Sequence, residues 1–176
     1  MRLVKVCVIS QNRLGEESIM SILKFEYRTP RSMQGMYSYL TDKTKTSQEG
    51  IFTIGCTSAY APEEMFLVQE VYYRGNISHQ YLQVIFAFDV GINLNFELIR
   101  KICIKIGYAL ILDKRQVLGA IHYLGKDSMK VHCHYLINYV GIDGSLYKQQ
   151  YSLQYYKKKV NEILLAYGLN PIIMRF

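Results

Sequence analysis

The chain has 176 residues, half of them hydrophobic, which is enough to bury the core of one domain. Lysine and arginine number 21 against 14 aspartates and glutamates, and the resulting net charge of +7 fits a nucleic acid or an acidic membrane surface as partner. Because the chain shows no bilayer-length apolar run, no signal-peptide pattern and no Cys-x-x-Cys pair, a transmembrane segment, a zinc knot and a disulfide framework are not expected. We expect one cytoplasmic domain over residues 1–176, with residues 1–30 as its peripheral part.

The first half of the chain predicts strands, two helices and one polar loop. Apolar alternation indicates the strands, and apolar residues at helical spacing indicate the helices. The elements are, in chain order, strands at 3–9 and 18–25, a helix at 33–40, a strand at 51–57 and a helix from Pro62 to about residue 73. The polar stretch 41–50 predicts an exposed loop between the first helix and the strand after it.

The second half predicts the remaining strands and two further helices. The nearly continuous apolar run 80–88 is typical of a central strand that is buried on both faces. The elements that follow are a helix capped by Asn93 or Asn95 and ending at Gly107, strands at 117–124 and 130–140, and a helix from about residue 149 to residue 167 that stops at Gly168. This order predicts an α+β fold, in which helices flank a central antiparallel sheet of about five strands.

Three of the four histidines lie in the last two predicted strands. Side chains alternate across a strand, so His132 and His134 leave on one face while Cys133 points to the other. If the turn at 125–128 joins the two strands as a hairpin, His122 lies opposite His132. The pattern therefore predicts three imidazoles on one patch of one sheet face.

Three neutral imidazoles with open positions can hold a divalent cation that polarises a phosphate oxygen. The alternative is that His122 is a core or surface residue and that the other two histidines are half-exposed strand residues, but the hairpin register favours a metal. Asn138 shares their face and could hydrogen-bond a substrate or simply cap the strand end. Asp127 falls at the tip of the turn, where an aspartate is common without any further role.

Five segments share their order and spacing with a known family. They are Tyr39-Leu40-Thr41-Asp42 with the polar residues after it, Gly55-Cys56 at a strand end, His79–Val84, Val117–His122, and His132–Asn138 followed by Asp143-Gly144. Together they resemble the conjugative relaxases, and more narrowly their P-type mobilisation branch, to which the agrobacterial T-DNA nickase also belongs. The resemblance runs from about residue 33 to residue 169.

The resemblance implies the activity, the metal and the partners. Such relaxases belong to the nickases named for their His-hydrophobic-His motif, which cut one DNA strand at a transfer origin in the bacterial cytoplasm. The resemblance implies that Tyr39 attacks the scissile phosphate and that His122, His132 and His134 hold Mg²⁺ or Mn²⁺. It implies a 5′-phosphotyrosyl intermediate, a single-stranded or hairpin DNA substrate, and relaxosome accessory and coupling proteins as partners.

Basic residues near Tyr39 are the candidate phosphate contacts. Arg28, Arg31, Lys43 and Lys45 suit that role, together with Asn138 on the histidine face, although charges in a loop are often only solvated. Farther along the chain, the three lysines at 157–159 are expected on the solvated side of the last helix. Tyr37 and Tyr27 are the tyrosines that could be confused with Tyr39.

Two other functions remain open at this stage. One is a catalytically silent module that recognises an origin hairpin without cutting it, because Ala87 stands where the family often has a serine and because His122 and His132 are farther apart than usual. The other is a rolling-circle replication initiator or a transposase of the same superfamily. The survival of all four catalytic groups favours an enzyme, and the tyrosine preceding the histidines favours a mobilisation relaxase.

Overall fold

The computed structural model describes residues 21–28, 33–73, 77, 80–89, 92–111, 114–127, 130–147 and 153–173. The strands are β1 (Ile22–Arg28), β2 (Ile51–Ile54), β3 (Tyr81–Ala87), β4 (Val117–His122) and β5 (His132–Asn138). The helices are α1 (Met33–Leu40), α2 (Ala61–Tyr72), α3 (Phe96–Ile111) and α4 (Leu153–Ala166). The strands form one antiparallel sheet in the order β1-β3-β5-β4-β2. The predicted α+β class, with helices around a central antiparallel sheet, is confirmed, and the predicted strand at 3–9 lies outside the described residues.

Helices cover both faces of the sheet. The larger core lies between the sheet and helices α3 and α4, and it includes Phe86, Ile121 and Tyr135 from the strands. The smaller core lies between the opposite face and helices α1 and α2, and it includes Leu118 and Leu136. Because neighbouring residues of a strand point to opposite faces, β4 and β5 contribute side chains to both layers.

Gly107 and Gly55 differ from their predicted roles: Gly107 lies inside a helix that it was expected to end, and Gly55 follows a strand that was expected to include it. Helix α3 begins as predicted, since Asn95 Oδ1 accepts a hydrogen bond from Leu98 N at 2.8 Å, but it continues through Gly107 to Ile111. A Cβ at Gly107 would lie 3.0 Å from Ile54 Cδ1, so this glycine allows the helix to pack closely on the sheet. Gly55, with φ of 71°, instead ends β2 earlier than predicted.

The segment 41–50 is only in part the exposed loop that its composition predicts: residues 43, 44, 48 and 49 are exposed, but others are buried or anchored. Thr46 is buried, and the carbonyl of Lys45 accepts hydrogen bonds from the backbone of Tyr123 at 2.9 Å and Leu124 at 3.0 Å. The hydroxyls of Ser47 and Tyr123 lie 2.7 Å apart. The loop is therefore anchored to the residues that follow β4.

One expectation about surface residues is wrong, because Lys157 is not on the solvated side of the last helix. The side chain of Lys157 is buried, and its Nζ donates a hydrogen bond to the Ile173 carbonyl at 3.2 Å. Helix α4 ends at Ala166, and Gly168 follows with φ of 70°, as predicted for a helix stop.

Among the described residues, no helix has the length and apolar character needed to cross a membrane.

Candidate metal centre and nucleophile

The β4–β5 hairpin brings the three histidines together. His122 pairs directly with His132, and Ala120 pairs with His134, which is the register that the turn length predicts. One nitrogen of each ring lies within 4.8 Å of a nitrogen of the other two, so a single ion could contact all three. The wide sequence spacing between His122 and His132 is taken up by the turn at 125–127 and does not separate the rings.

Backbone carbonyls orient two of the rings. His122 Nε2 lies 3.0 Å from the Leu40 carbonyl oxygen, and His132 Nδ1 lies 3.0 Å from the Lys130 carbonyl oxygen. A carbonyl oxygen only accepts, so these ring nitrogens carry the protons. In a neutral ring the lone pair is then on His122 Nδ1 and on His132 Nε2, and a lone pair is what a metal ligand must present.

A buried glutamine contacts the third ring. His134 Nδ1 lies 2.9 Å from Gln83 Nε2 of the neighbouring strand β3. Both side chains are almost fully buried, whereas His132 is only half-buried at the rim of the cluster. The site is therefore closed on the side of the sheet and accessible at His132.

The three imidazoles fit a divalent cation. Their ligand atoms lie close together on rigid strands, and a set of three nitrogens leaves further coordination positions for a phosphate oxygen or water. Imidazole nitrogen is a softer ligand than the oxygens that Mg²⁺ prefers, so the donor set favours a transition-metal ion.

Tyr39 lies beside the histidine cluster, in the last turn of α1. Its ring is 46% exposed, and its centroid lies 5.8 Å from the ring centroids of both His122 and His134. The next residue, Leu40, is fully buried, and its carbonyl is the hydrogen-bond acceptor for His122. The end of the helix that carries Tyr39 is thus attached directly to one of the candidate ligands.

The anchored loop places a cation against Tyr39. Lys45 Nζ lies 3.7 Å from the centre of the Tyr39 ring and 3.8 Å from Asp42 Oδ2. Asp42 Oδ1 accepts hydrogen bonds from the backbone nitrogen and the hydroxyl of Thr44, and these bonds lower the pKa of Asp42, with a smaller contribution from Lys45. The carboxylate therefore stays charged near neutral pH and holds the loop in a tight turn.

The predicted phosphate contacts fall into three groups. Lys43 and Lys45 lie in the loop beside Tyr39, where Lys43 is exposed. Arg28 closes strand β1 opposite Tyr81, but its side chain is not described, and Arg31 lies outside the described residues. The basic candidates that the structure places near the site are therefore the two loop lysines.

The structure gives Asn138 a packing role in place of the predicted DNA contact. Asn138 lies on the histidine face, but it is fully buried beneath α2. Its Oδ1 accepts from Gln69 Nε2 at 2.8 Å, and its Nδ2 donates to the Met65 carbonyl and to Gln116 Oε1, each at 2.9 Å. We therefore leave Asn138 out of the proposed DNA-contacting set.

Sequence reasoning missed Gln83, the Leu40 carbonyl and Tyr123. Gln83 carries a signal in the sequence, since it is the polar residue within an apolar strand, but its contact with His134 depends on β3 pairing with β5. Tyr123 packs on Phe96 with ring centroids 4.4 Å apart and anchors the loop of Lys45. These contacts link parts of the chain that are distant in sequence.

Comparison with known proteins identifies a family and a related fold. A family model for relaxases, described as the MobA/VirD2-like nuclease domain, matches residues 39–169. A solved structure described as the molecular basis of vancomycin resistance transfer in Staphylococcus aureus has a similar fold, with a TM-score of 0.59 and 9% sequence identity over 89% of this chain and 99% of that chain. At this identity the similarity shows the fold alone. No curated protein matches the chain.

Proposed function

This chain belongs to the MobA/VirD2-like relaxase family and contains its nuclease domain, and we propose that it is a metal-dependent, site- and strand-specific DNA nickase acting at a transfer origin. The main support for this proposal is the position of Tyr39 beside the three histidines. The exposed ring of Tyr39 lies 5.8 Å from two of three histidine rings whose ligand atoms converge within 4.8 Å. A nucleophile beside a metal site is one arrangement that supports phosphoryl transfer to a side chain.

Tyr39 is the proposed nucleophile. Its phenolic oxygen forms a bond to the scissile phosphorus while the bond from phosphorus to the 3′ oxygen breaks. The leaving oxygen takes up a proton and becomes a free 3′-OH, and the phenolic proton passes to solvent at this exposed ring. The 5′-phosphotyrosyl bond keeps the phosphodiester energy, so the reverse step religates the strand. A Mg²⁺ or Mn²⁺ ion held by His122, His132 and His134 would withdraw charge from the phosphate.

Residues around Tyr39 orient it and hold DNA. The hydrogen bond from His122 to the Leu40 carbonyl keeps the end of α1 beside the histidines, which reduces the freedom of the Tyr39 backbone. Lys45 restrains the ring face and, with Lys43, offers positive charge to the phosphates next to the cut. Arg28 and Arg31 remain proposed contacts on the strength of the resemblance, and so do accessory and coupling proteins as partners.

The test is formation of a covalent adduct. The wild-type protein is incubated with labelled single-stranded oligonucleotides from the transfer origin of its own element, with Mn²⁺, with Mg²⁺ or with EDTA, and run on a denaturing gel. We expect a slower-migrating protein–DNA band that requires the metal and disappears in Tyr39→Phe. Tyr37→Phe is the matched control, because Tyr37 lies on the same helix and its hydroxyl donates to the Ser58 carbonyl instead.

The outcomes separate the competing functions. An adduct that persists in Tyr39→Phe assigns the nucleophile to another residue. Origin binding without any adduct favours the silent recognition module. Cleavage of a replication origin or a transposon end, without cleavage of the transfer origin, favours the replication initiator or the transposase.

A further inference from the structure

Gln83 is a polar side chain in the middle of a buried apolar strand. It is 2% exposed, and its neighbours Leu82 and Val84 are fully buried in the larger core on the opposite face. In the β3–β5 register, Gln83 pairs with Leu136 and Ile85 pairs with His134, so Gln83 lies diagonally across from the histidine on the same face. A buried amide at this point needs hydrogen-bond partners, and one of them is His134 Nδ1 at 2.9 Å.

We propose that Gln83 is the positioning residue that prepares His134 to bind the metal, by accepting a hydrogen bond from His134 Nδ1–H through its amide oxygen. This inference rests on the proposed function, because it concerns the same metal site. Gln83 is not a ligand and does not contact substrate in this proposal. It acts only by selecting the tautomer and the orientation of the ring.

In each histidine, one ring nitrogen belongs to the cluster and the other, the outer nitrogen, contacts a neighbouring group. The three histidines differ in what that group is. Backbone carbonyls face His122 and His132, and a carbonyl can only accept, so in both rings the nitrogen that faces the carbonyl carries a proton. A carboxamide can either donate or accept, depending on which end faces the ring. His134 is therefore the ligand whose tautomer depends on a side chain.

The orientation of the Gln83 carboxamide decides whether His134 can bind a metal ion through Nε2. In the structure Gln83 Nε2 faces His134 Nδ1, and an amide nitrogen donates, which places the proton of a neutral ring on the other nitrogen, Nε2. Nε2 then has no lone pair for a metal. A half-turn of the carboxamide brings the oxygen to Nδ1, moves the ring proton to Nδ1 and gives Nε2 its lone pair. Metal binding and this half-turn are thus coupled.

Two substitutions separate the hydrogen bond from packing. Gln83→Met keeps the length of the side chain and removes the acceptor, whereas Gln83→Glu keeps the acceptor and removes the donor. Gln116→Met is the matched control, because Gln116 is also a buried glutamine and its amide bonds to Asn138 and not to a histidine. Mn²⁺ binding to each folded variant is measured by isothermal titration calorimetry in the absence of DNA.

We expect Gln83→Met to weaken Mn²⁺ binding by roughly 10- to 100-fold, the usual effect of losing an outer partner of a histidine ligand. Gln83→Glu should bind Mn²⁺ at least as tightly as wild type, and Gln116→Met should bind like wild type. Nitrogen-15 NMR of the imidazoles gives an independent readout. It should show the His134 proton on Nε2 in the metal-free wild type, and on Nδ1 in Gln83→Glu before any metal is added.

Equal weakening by Gln83→Met and Gln83→Glu would overturn the proposal, because it would show that only packing matters. Unchanged Mn²⁺ affinity in folded Gln83→Met would overturn it as well. If Gln83→Met does not fold, Gln83→Glu decides, and weaker binding than wild type rejects the role. A wild-type protein that binds no Mn²⁺ instead rejects the metal site of the proposed function, so the two failures are distinguishable.

Discussion

The two faces of the sheet are built from the same strands but have different chemistry. Toward α3 and α4, strand β5 presents Cys133, Tyr135 and Ile137, all fully buried among apolar neighbours. Toward α1 and α2, the alternate residues of the same strand include His134 and Asn138, which are buried among polar partners. One face is a dry core, whereas the other combines a smaller hydrophobic core with buried polar residues and the histidine cluster.

The first face mainly stabilises the fold, and the second carries the groups proposed to bind the metal. Burial raises the pKa of the Cys133 thiol and of the Tyr135 phenol well above their ordinary values, so both stay neutral in the dry core. The histidine face holds its histidines by hydrogen bonds whose donors and acceptors come from four separate segments of the chain. Mutations in the first core should therefore change mainly unfolding, and mutations of the histidines on the second face should change metal binding and cleavage.

The largest expected effect is a loss of stability when a buried side chain is removed from the core beneath α3 and α4. Phe86 is fully buried in that core, with its ring centroid 4.8 Å from that of Phe88. We expect Phe86→Ala to lower the free energy of unfolding by about 3–5 kcal/mol, because it leaves a cavity in the core. Ile85→Ala, on the opposite face of the same strand, should cost less, since Ile85 is only half-buried. Denaturant unfolding measures both, and an equal or larger loss in Ile85→Ala would contradict the comparison.

The next largest effect separates two ligands on the histidine face. We expect His122→Ala and His132→Ala each to weaken Mn²⁺ binding on the order of 100-fold or more, because each removes one imidazole from the site. Hydrogen exchange should distinguish them. The amides at 39–41 should exchange faster only in His122→Ala, because His122 alone of the two bonds the Leu40 carbonyl. The same exchange in both variants would show that the bond does not hold the end of α1.

Asn138→Ala tests whether the histidine face also contributes to stability. It removes a buried amide and leaves partners on Gln69 and Gln116 without their bonds, so we expect a loss of about 1–3 kcal/mol in the free energy of unfolding. Affinity for origin DNA, measured by fluorescence anisotropy on folded protein, should not change. Weaker DNA binding with unchanged stability would restore Asn138 as a DNA contact.

A smaller effect distinguishes the two loop lysines. Lys43→Met and Lys45→Met should each reduce the dependence of single-stranded DNA affinity on salt, by about 0.7 in the slope of log affinity against log salt concentration. Only Lys45→Met should also slow adduct formation at saturating DNA, by a few-fold, because Lys45 packs on the Tyr39 ring. Equal rates of adduct formation in the two variants would show that Lys45 does not help to position Tyr39.

The smallest effect is a pH dependence of the loop. Hydrogen bonds from Thr44 lower the pKa of Asp42, so the charged form is favoured by folding. The stabilisation is complete above the pKa of an unfolded aspartate and is lost as the pH falls through the lower pKa of the folded state. Carboxyl NMR should give a midpoint for Asp42 below the ordinary aspartate value. Protection of the Thr44 amide against hydrogen exchange, taken relative to the intrinsic exchange rate at each pH, should fall with acid in wild type but not in Asp42→Asn.

The histidine cluster could be predicted because its determinants are local. Alternation along β5 and the length of the turn set the positions of all three rings, and both are visible in neighbouring residues. The boundaries of α1 and the cap at Asn95 were predictable for the same reason. The central strand β3 was recognisable as buried on both faces from its composition.

Other features could not be predicted because they depend on contacts between distant segments. Asn138 looks like a substrate contact until α2 is seen to cover it. The segment 41–50 looks like an exposed loop until Tyr123 is seen to anchor it. Gly107 looks like a helix stop until the sheet is seen to pack against it.

By itself the sequence determined the α+β class, the hairpin register and the shared face of the three histidines, because strand periodicity and turn length act over a few residues. Only the tertiary structure decided which groups surround that face. Helix α1 brings Tyr39 and the Leu40 carbonyl to His122, and strand β3 brings Gln83 to His134. These partners come from segments far away in the chain, so their positions follow from the packing of whole elements and not from any local pattern.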